Sequence, residues 1–351
     1  MKTITYISQA LQNLFGVEAK KLAKKTGFIQ REVKVNGSNF AETLVFGFLN
    51  KPKMSYRQMS QSGRCSGLQI TAQGLEQKFN EHSAKFMQAL LEHAVGQVLQ
   101  TSLGKEIELL KRFQRIYIQD GSVIGLPDEC VQIWQGVRPP SQKGCSAVKL
   151  HVSLEYKSGQ VAGPLLAHGR EHDCQSPFFC QTLQPNELRI TDLGFFSLKQ
   201  LERDHQAGGV WVIRYKSGVI LYKNGHALHL ASFLKHQHAN RLDVVVQMGQ
   251  NHWLPCRLIA IKVDGQTAAA RIRKLRQQAH KGKYPIRAEL LQLAHWNLIL
   301  TNAPQDLLST LEVYVFLRLR WQIARLFKLW KQHAPLETSR SRQPHRILCE
   351  I

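Results

Sequence analysis

Two aspartates stand where an apolar segment runs out: Asp120 closes RIYIQD and Asp192 closes LRITD. At the carboxyl edge of a parallel α/β sheet the two carboxylates can meet. Mg²⁺ takes hard oxygen ligands and fills its remaining positions with water and phosphate oxygens, so a few carboxylates at a sheet edge suffice to hold it. Two such ions about 3.5 to 4 Å apart activate a water or a 3′-hydroxyl and stabilise the leaving oxygen of an in-line displacement at phosphorus. The competing reading of the first aspartate is plain, because Asp followed by Gly, as in Asp120-Gly121, is a common turn.

The elements that must carry these residues follow from periodicity. Residues 1 to about 100 read as helices, with Phe86, Leu90, Leu91, Val95 and Val98 at the spacing of a buried stripe. Ser55 and Thr71 are predicted N-caps of two short helices separated by the turn SGRCSG, a layout compatible with helix-turn-helix DNA binding. From residue 113 the period becomes two. FQRIYIQDGS reads as a strand running into a turn. AVKLHVSLEY reads as a half-exposed strand with Lys149, His151, Ser153 and Glu155 outward, and QVAGPLLAHG as its neighbour. NELRITDLGFFSLKQLERDHQAG supplies a strand, an Asp and a helix. Candidate strands VWVIRY, GVILY, ALHLASF, RLDVVVQM and RLIAIKV fill residues 209 to 263. RIRKLRQQAHKGK is a basic, solvent-facing helix, HWNLILTN a further strand, and a final long helix spans about 305 to 333. The order is that of an α/β protein.

Composition narrows the partners. Forty-seven Lys and Arg against 25 Asp and Glu leave a net charge of +22 in 351 residues. Such a surface draws polyanions, because each phosphate it neutralises releases a condensed counterion, and nucleic acid is the first partner to consider. An anionic membrane surface or an RNA partner would satisfy charge alone. No apolar run is long enough to span a bilayer, and the N-terminus lacks the pattern of a secretory signal, so a cytoplasmic protein is expected. Seven cysteines without a C-x-x-C pair read as reduced thiols. His168, His172, Asp173 and Cys174 form the densest group of metal-ligand types but lack a second pair at zinc spacing. No Gly-rich phosphate loop of the nucleotide-hydrolase kind is present.

The stretches IQDGSVIGLP, TDLGFFSLKQLERDHQAGGVWVIRYKSG, WNLILTN and LRLRWQIARLFKLWK resemble the DDE transposases of bacterial insertion sequences, in the insertion-sequence-four group. The resemblance implies an RNase H-like catalytic core interrupted by a β-rich insertion, with an N-terminal α-helical DNA-binding domain. Its expected division is 1–105 (helical domain), 106–208 (first part of the core), 209–284 (insertion with the basic helix) and 285–351 (last core strand and C-terminal helix). It further implies Mg²⁺, for which Mn²⁺ can substitute, as cofactor, held by Asp120 and Asp192. The implied partners are double-stranded DNA, as terminal inverted repeats and target, and a second copy of the chain in a homodimer on that DNA.

The family's closing signature is Y-x2-R-x3-E-x6-K. Arg320 and Lys331 occupy its R and K positions, whereas Leu317 stands at the Tyr and Ala324 at the catalytic Glu. On one continuous helix, positions 320, 324, 327 and 331 share a face. Glu312, twelve residues before 324, would lie roughly 18 Å away along the axis and off that face. Glu337 follows the helix in a Pro-containing segment. The expected consequence is impaired cleavage; the alternatives are a catalytically inactive, transposase-derived DNA-binding protein and a general nuclease without end specificity. By the same resemblance Arg214, Lys216, Arg320 and Lys331 contact DNA phosphates.

Overall fold

The computed structural model describes residues 2–31, 34–51, 53–98, 108–137, 145–283, 285–333 and 341–350. The chain forms two compact units, each built from discontinuous segments: 1–104, 121–171 and 323–351 in the first, 105–120 and 172–322 in the second. Glu337 lies outside the described residues.

The first unit opens with helices α1 (Lys2–Asn13), α2 (Ala19–Lys25), α3 (Gly37–Asn50), α4 (Tyr56–Gly63), α5 (Ala72–Lys78) and α6 (Glu81–Val98). Sequence chemistry sets their ends. Asn36 caps α3 and Ser55 caps α4, each in a reciprocal capping box, and the Thr71 side chain accepts from Gly74 N–H to start α5. Between α4 and α5, Gly67 turns the chain at φ +74, a conformation that costs glycine nothing. The helices bury one core in which the Phe28 ring stacks on Phe86 at 5.3 Å and tilts against Phe40 at 4.6 Å.

In chain order there follow α7 (Glu108–Lys111), β1 (Arg115–Leu126), β2 (Ser146–Glu155), β3 (Gln160–His168), α8 (Pro177–Cys180), β4 (Glu187–Thr191), α9 (Leu198–Gln206), β5 (Val210–Arg214), β6 (Leu221–Lys223) and β7 (His226–Ala227). Next come α10 (Leu230–Lys235), β8 (Arg241–Met248), β9 (Leu254–Lys262), α11 (Gly265–Gly282), α12 (Ala288–Leu293) and β10 (Trp296–Thr301). The chain closes with α13 (Thr310–Leu319), α14 (Trp321–His333) and α15 (Pro344–Glu350). In the second unit β1, β4 and β5 run parallel, β10 joins β5 antiparallel, and β9, β8, β6 and β7 continue antiparallel from it. In the first unit β2 and β3 form an antiparallel hairpin, and α6 packs on β3. The protein is thus mixed α/β, with a large mixed sheet.

Five expectations need correction. β1 does not end in a turn at Asp120: the alternation goes on with Val123 exposed and Ile124 buried, and the strand reaches Leu126. β2 is buried on both faces, because Lys149 donates to the Glu171 carbonyl and His151 Nε2 lies 3.7 Å from the Glu171 carboxylate. ALHLASF is not a strand beyond His226–Ala227, since Leu230 and Leu234, one turn apart, bury together as helix α10. The basic segment is helix α11, but Arg271 in it is half-buried rather than solvent-facing. The long helix begins only at Thr310, where Ser309 caps it with Glu312, and it breaks at Arg320 into α13 and α14.

A candidate carboxylate site at the edge of the parallel strands

The register of the parallel strands positions the two aspartates. Ile118 of β1 lies opposite Ile190 of β4, the last pair of their register, and an aspartate follows each two residues later, Asp120 within β1 and Asp192 just past the end of β4. Neighbouring strands lie about 4.8 Å apart, and level positions in parallel strands present side chains to the same face. Asp192 keeps extended backbone, at φ −91 and ψ 175, as it caps the short 3₁₀ turn Leu193–Phe195. Asp173 packs against that turn at Gly194, where any Cβ would oblige the Asp173 carboxylate to swing aside.

The Arg320 guanidinium reaches this edge from the end of α13, its Nη1 3.3 Å from Asp192 Oδ2. Arg320 is 13 % exposed and Asp192 35 %, so the pair is half withdrawn from water. Arg214 ends β5 and is exposed, and the Lys216 ammonium lies 5.7 Å from the centre of the Phe196 ring. Asp120, Asp192, Arg214, Lys216 and Arg320 all belong to the second unit. Ala324 and Lys331 belong to the first, where the Lys331 ammonium donates to the Val123 carbonyl at 3.0 Å. Ala324 presents a methyl group and no ligand.

Oxygen donors of the right kind for a hard divalent ion are therefore two carboxylates. Among the described residues no group of three or more His, Cys, Asp or Glu side chains is gathered tightly enough to hold a metal. Two carboxylates fit one Mg²⁺ that completes its shell with water and phosphate oxygens; they do not make a closed cage. Glu312 is engaged elsewhere, capping α13 and pairing with Arg112 at 3.0 Å. His168 accepts from Gln135 N–H and lies against Trp134, so its ring is used in packing.

Periodicity alone misses two groups that shape this region. Arg189, on β4, is fully buried and ion-paired with Asp204 of α9 at 3.3 Å. Arg271 is anchored by carbonyls of Ala294 and Trp296 and by Asn297 Oδ1. A signal did exist for the first: an arginine in the middle of an otherwise apolar strand demands a buried partner.

An α/β protein with two aspartates on adjacent parallel segments, Asp120 within β1 and Asp192 just past β4, and a basic surround is the kind of molecule that handles phosphodiesters. Residues 111–351 match the transposase DDE domain family, and the chain belongs to that family. It is 26 % identical over 366 residues to the transposase for insertion sequence element IS231F of Bacillus thuringiensis subsp. israelensis, covering 95 % of this chain and 74 % of that protein. It is 24 % identical to the IS231B transposase of Bacillus thuringiensis subsp. berliner (95 % and 73 %). It is 23 % identical to the IS1151 transposase of Clostridium perfringens (99 % and 78 %). By family the protein is a DDE transposase of an insertion sequence, and its enzyme class depends in general on divalent metal. Among the described residues no helix is long and apolar enough to cross a membrane.

Proposed function

We propose that the chain binds the terminal inverted repeats of its element, pairs them as a homodimer, and is impaired in cutting and joining DNA because Ala324 stands at the catalytic Glu. The observation that supports this reading is the parallel β1–β4 register, whose last pair, Ile118 and Ile190, stands two residues before Asp120 and Asp192 inside the segment matched to the family. In this reading the parallel strands and β10 form an RNase H-like core. Strands β6 to β9 with α11 form its insertion, and α4 and α5, with their capped starts and tight turn, are the DNA reader.

Asp120 and Asp192 are the residues that would hold Mg²⁺ or Mn²⁺. When bound, such an ion lowers the pKa of an attacking water or 3′-hydroxyl and neutralises charge growing on the phosphate oxygens. The protein's own part is positional. Arg320 fixes the orientation of the Asp192 carboxylate through their ion pair and brings a planar donor fork suited to phosphate oxygens. Arg214, Lys216 and Lys331 neutralise backbone phosphates and set the register of the duplex. The methyl group of Ala324 supplies no third carboxylate, so the ligand set for a second ion is incomplete.

The test is a gel-shift titration of the full chain on duplexes carrying the element's repeats against duplexes of scrambled sequence. The expected result is tighter binding to the repeats, falling steeply with salt, and little release of 3′ ends in Mg²⁺. Equal binding to both duplexes would defeat the reading. A parallel Mn²⁺ titration, read by loss of the free-ion paramagnetic resonance signal, is expected to show a site that Asp120→Asn removes.

A further inference from the structure

Arg214 and Arg271 belong to different elements, the end of β5 and the first half of α11. Both line a cavity of about 280 Å³ in the second unit, whose walls include Leu193, Tyr215, Trp296 and Leu317. Leu193 follows Asp192 directly in the chain, and Leu317 lies one helical turn before Arg320, so two walls of the cavity adjoin the carboxylate edge.

Arg271 is held firmly. Its Nη1 donates to the Trp296 carbonyl at 3.1 Å and the Ala294 carbonyl at 3.4 Å, and its Nη2 to Asn297 Oδ1 at 2.6 Å. At most three of a guanidinium's five N–H donors are spent in this way. No Asp or Glu is among the residues that line the cavity. Among the described residues Arg214 has no acidic group within ion-pair distance. Burial, followed by the charge of Arg214, pulls the Arg271 pKa down, with Tyr314 and Asp264 offsetting part of the effect, so the two cations repel each other across the cavity. An anion seated between two like charges in a concave site would relieve their repulsion.

We propose that Arg214 and Arg271 form a phosphate-gripping site, and that its ligand is one phosphodiester of the DNA strand that passes the Asp192 edge. The proposal rests on the reading of DNA as substrate. Two guanidinium forks converging from β5 and α11 match the tetrahedral face of a phosphodiester better than ammonium groups would. The anchored Arg271 sets the position of the phosphate, and the exposed Arg214 closes over it. One bound phosphate at this place fixes the distance between the strand and the two aspartates, which is what in-line chemistry requires of a positioning site.

The test uses the full chain and end duplexes in which one phosphate at a time is replaced by an uncharged methylphosphonate. For the native chain a single replacement near the element's end is expected to weaken binding roughly tenfold, the worth of a charge-assisted contact. In Arg214→Gln and in Arg271→Lys, which keeps the charge but loses the fork and the anchors, that same replacement is expected to change nothing further. Thermal melts of both variants identify any loss of folding, and Arg214→Gln alone decides the matter if Arg271→Lys melts early. Equal sensitivity to that replacement in native and Arg214→Gln chains would overturn the proposal. A phosphate-induced change in tryptophan fluorescence that end DNA does not displace would overturn it too, by assigning the site to free phosphate. Failure to prefer repeat DNA at all would instead strike the functional reading, so the two failures are distinguishable.

Discussion

Removing the carboxylate of Asp204 will unfold the second unit more readily than any change on its surface. Asp204 and Arg189 have side-chain exposures of 0 % and 1 %, with Nε and Oδ2 3.3 Å apart. Burial pushes the Asp204 carboxyl up, and the Arg189 charge and the Leu183 and Gln200 hydrogen bonds draw it back. Burial likewise pulls Arg189 down against its partner's charge. Arg189 also donates to the carbonyls of Phe179 and Gln181, and its guanidinium lies 4.9 Å from the Phe179 ring centre. Asp204→Ala leaves this cation without its counter-charge inside the protein, at a cost of about 3–5 kcal/mol. In a unit of this size that corresponds to a melting temperature lower by roughly 6–20 °C. Asp204→Asn keeps an oxygen for Leu183 N–H and the Gln200 amide, now accepted at 3.0 and 3.1 Å, and should recover about 1–2 kcal/mol of the loss. Denaturant titration followed by tryptophan fluorescence reads both variants, because Trp211 is buried and its Nε1 donates to Leu201 O on the same helix as Asp204. A change below about 1 kcal/mol in Asp204→Ala would refute the reasoning, since a broken buried pair cannot be that cheap.

Acid will weaken the same unit. Burial alone would raise the Asp243 carboxyl, but hydrogen bonds from Arg257 and Thr310, with the Arg257 charge, hold it below its ordinary 3.8. Glu312 is held below 4.5 by the Ser309 backbone N–H, against burial and with help from the Ser309 hydroxyl and Arg112. Both pKa values are depressed on folding, so their stabilisation is complete above 4.5 and 3.8 and drains away as pH falls through the lower folded values. The contribution of these two carboxylates is flat above pH 4.5, so denaturation midpoints should lose it as pH falls below that value, less steeply in Asp243→Asn; equal acid sensitivity in that variant would count against the assignment. In the first unit, Arg346 is 3 % exposed, lies 4.4 Å from the Tyr56 ring centre, and donates to Glu350 Oε1 at 2.8 Å. Arg346→Met removes one side of this buried ion pair and should cost that unit about 3–5 kcal/mol in a thermal melt; an unchanged melt would show that α15 does not stabilise the helical core.

Local rules made much of the fold legible. Ser55 and Thr71 cap their helices as side-chain chemistry requires, and the alternation around Val148, Leu150 and Val152 marks β2 correctly. Long-range partners were invisible to such rules. Nothing near Lys149 or His151 in sequence says that Glu171 receives them, so an alternating strand read as half-exposed is buried on both faces. Arg271 looked like one more solvated charge because its anchors, Ala294 to Asn297, lie beyond another helix. Likewise α15 gave no hint that Gln343 bonds Tyr56 Oη and the Phe79 carbonyl. At the candidate site the two aspartates could be named from where apolar segments run out, but that those segments are neighbours needs the parallel register of β1 and β4.

The most direct test of the central claim is cleavage of duplexes carrying the element's own ends in Mg²⁺ or Mn²⁺, comparing the native chain with Ala324→Glu. Release of 3′ ends by Ala324→Glu, lost again in Ala324→Glu with Asp120→Asn, is the predicted result. Equal cleavage by the native and Ala324→Glu chains would contradict the account, because the site would then be complete without a carboxylate at 324.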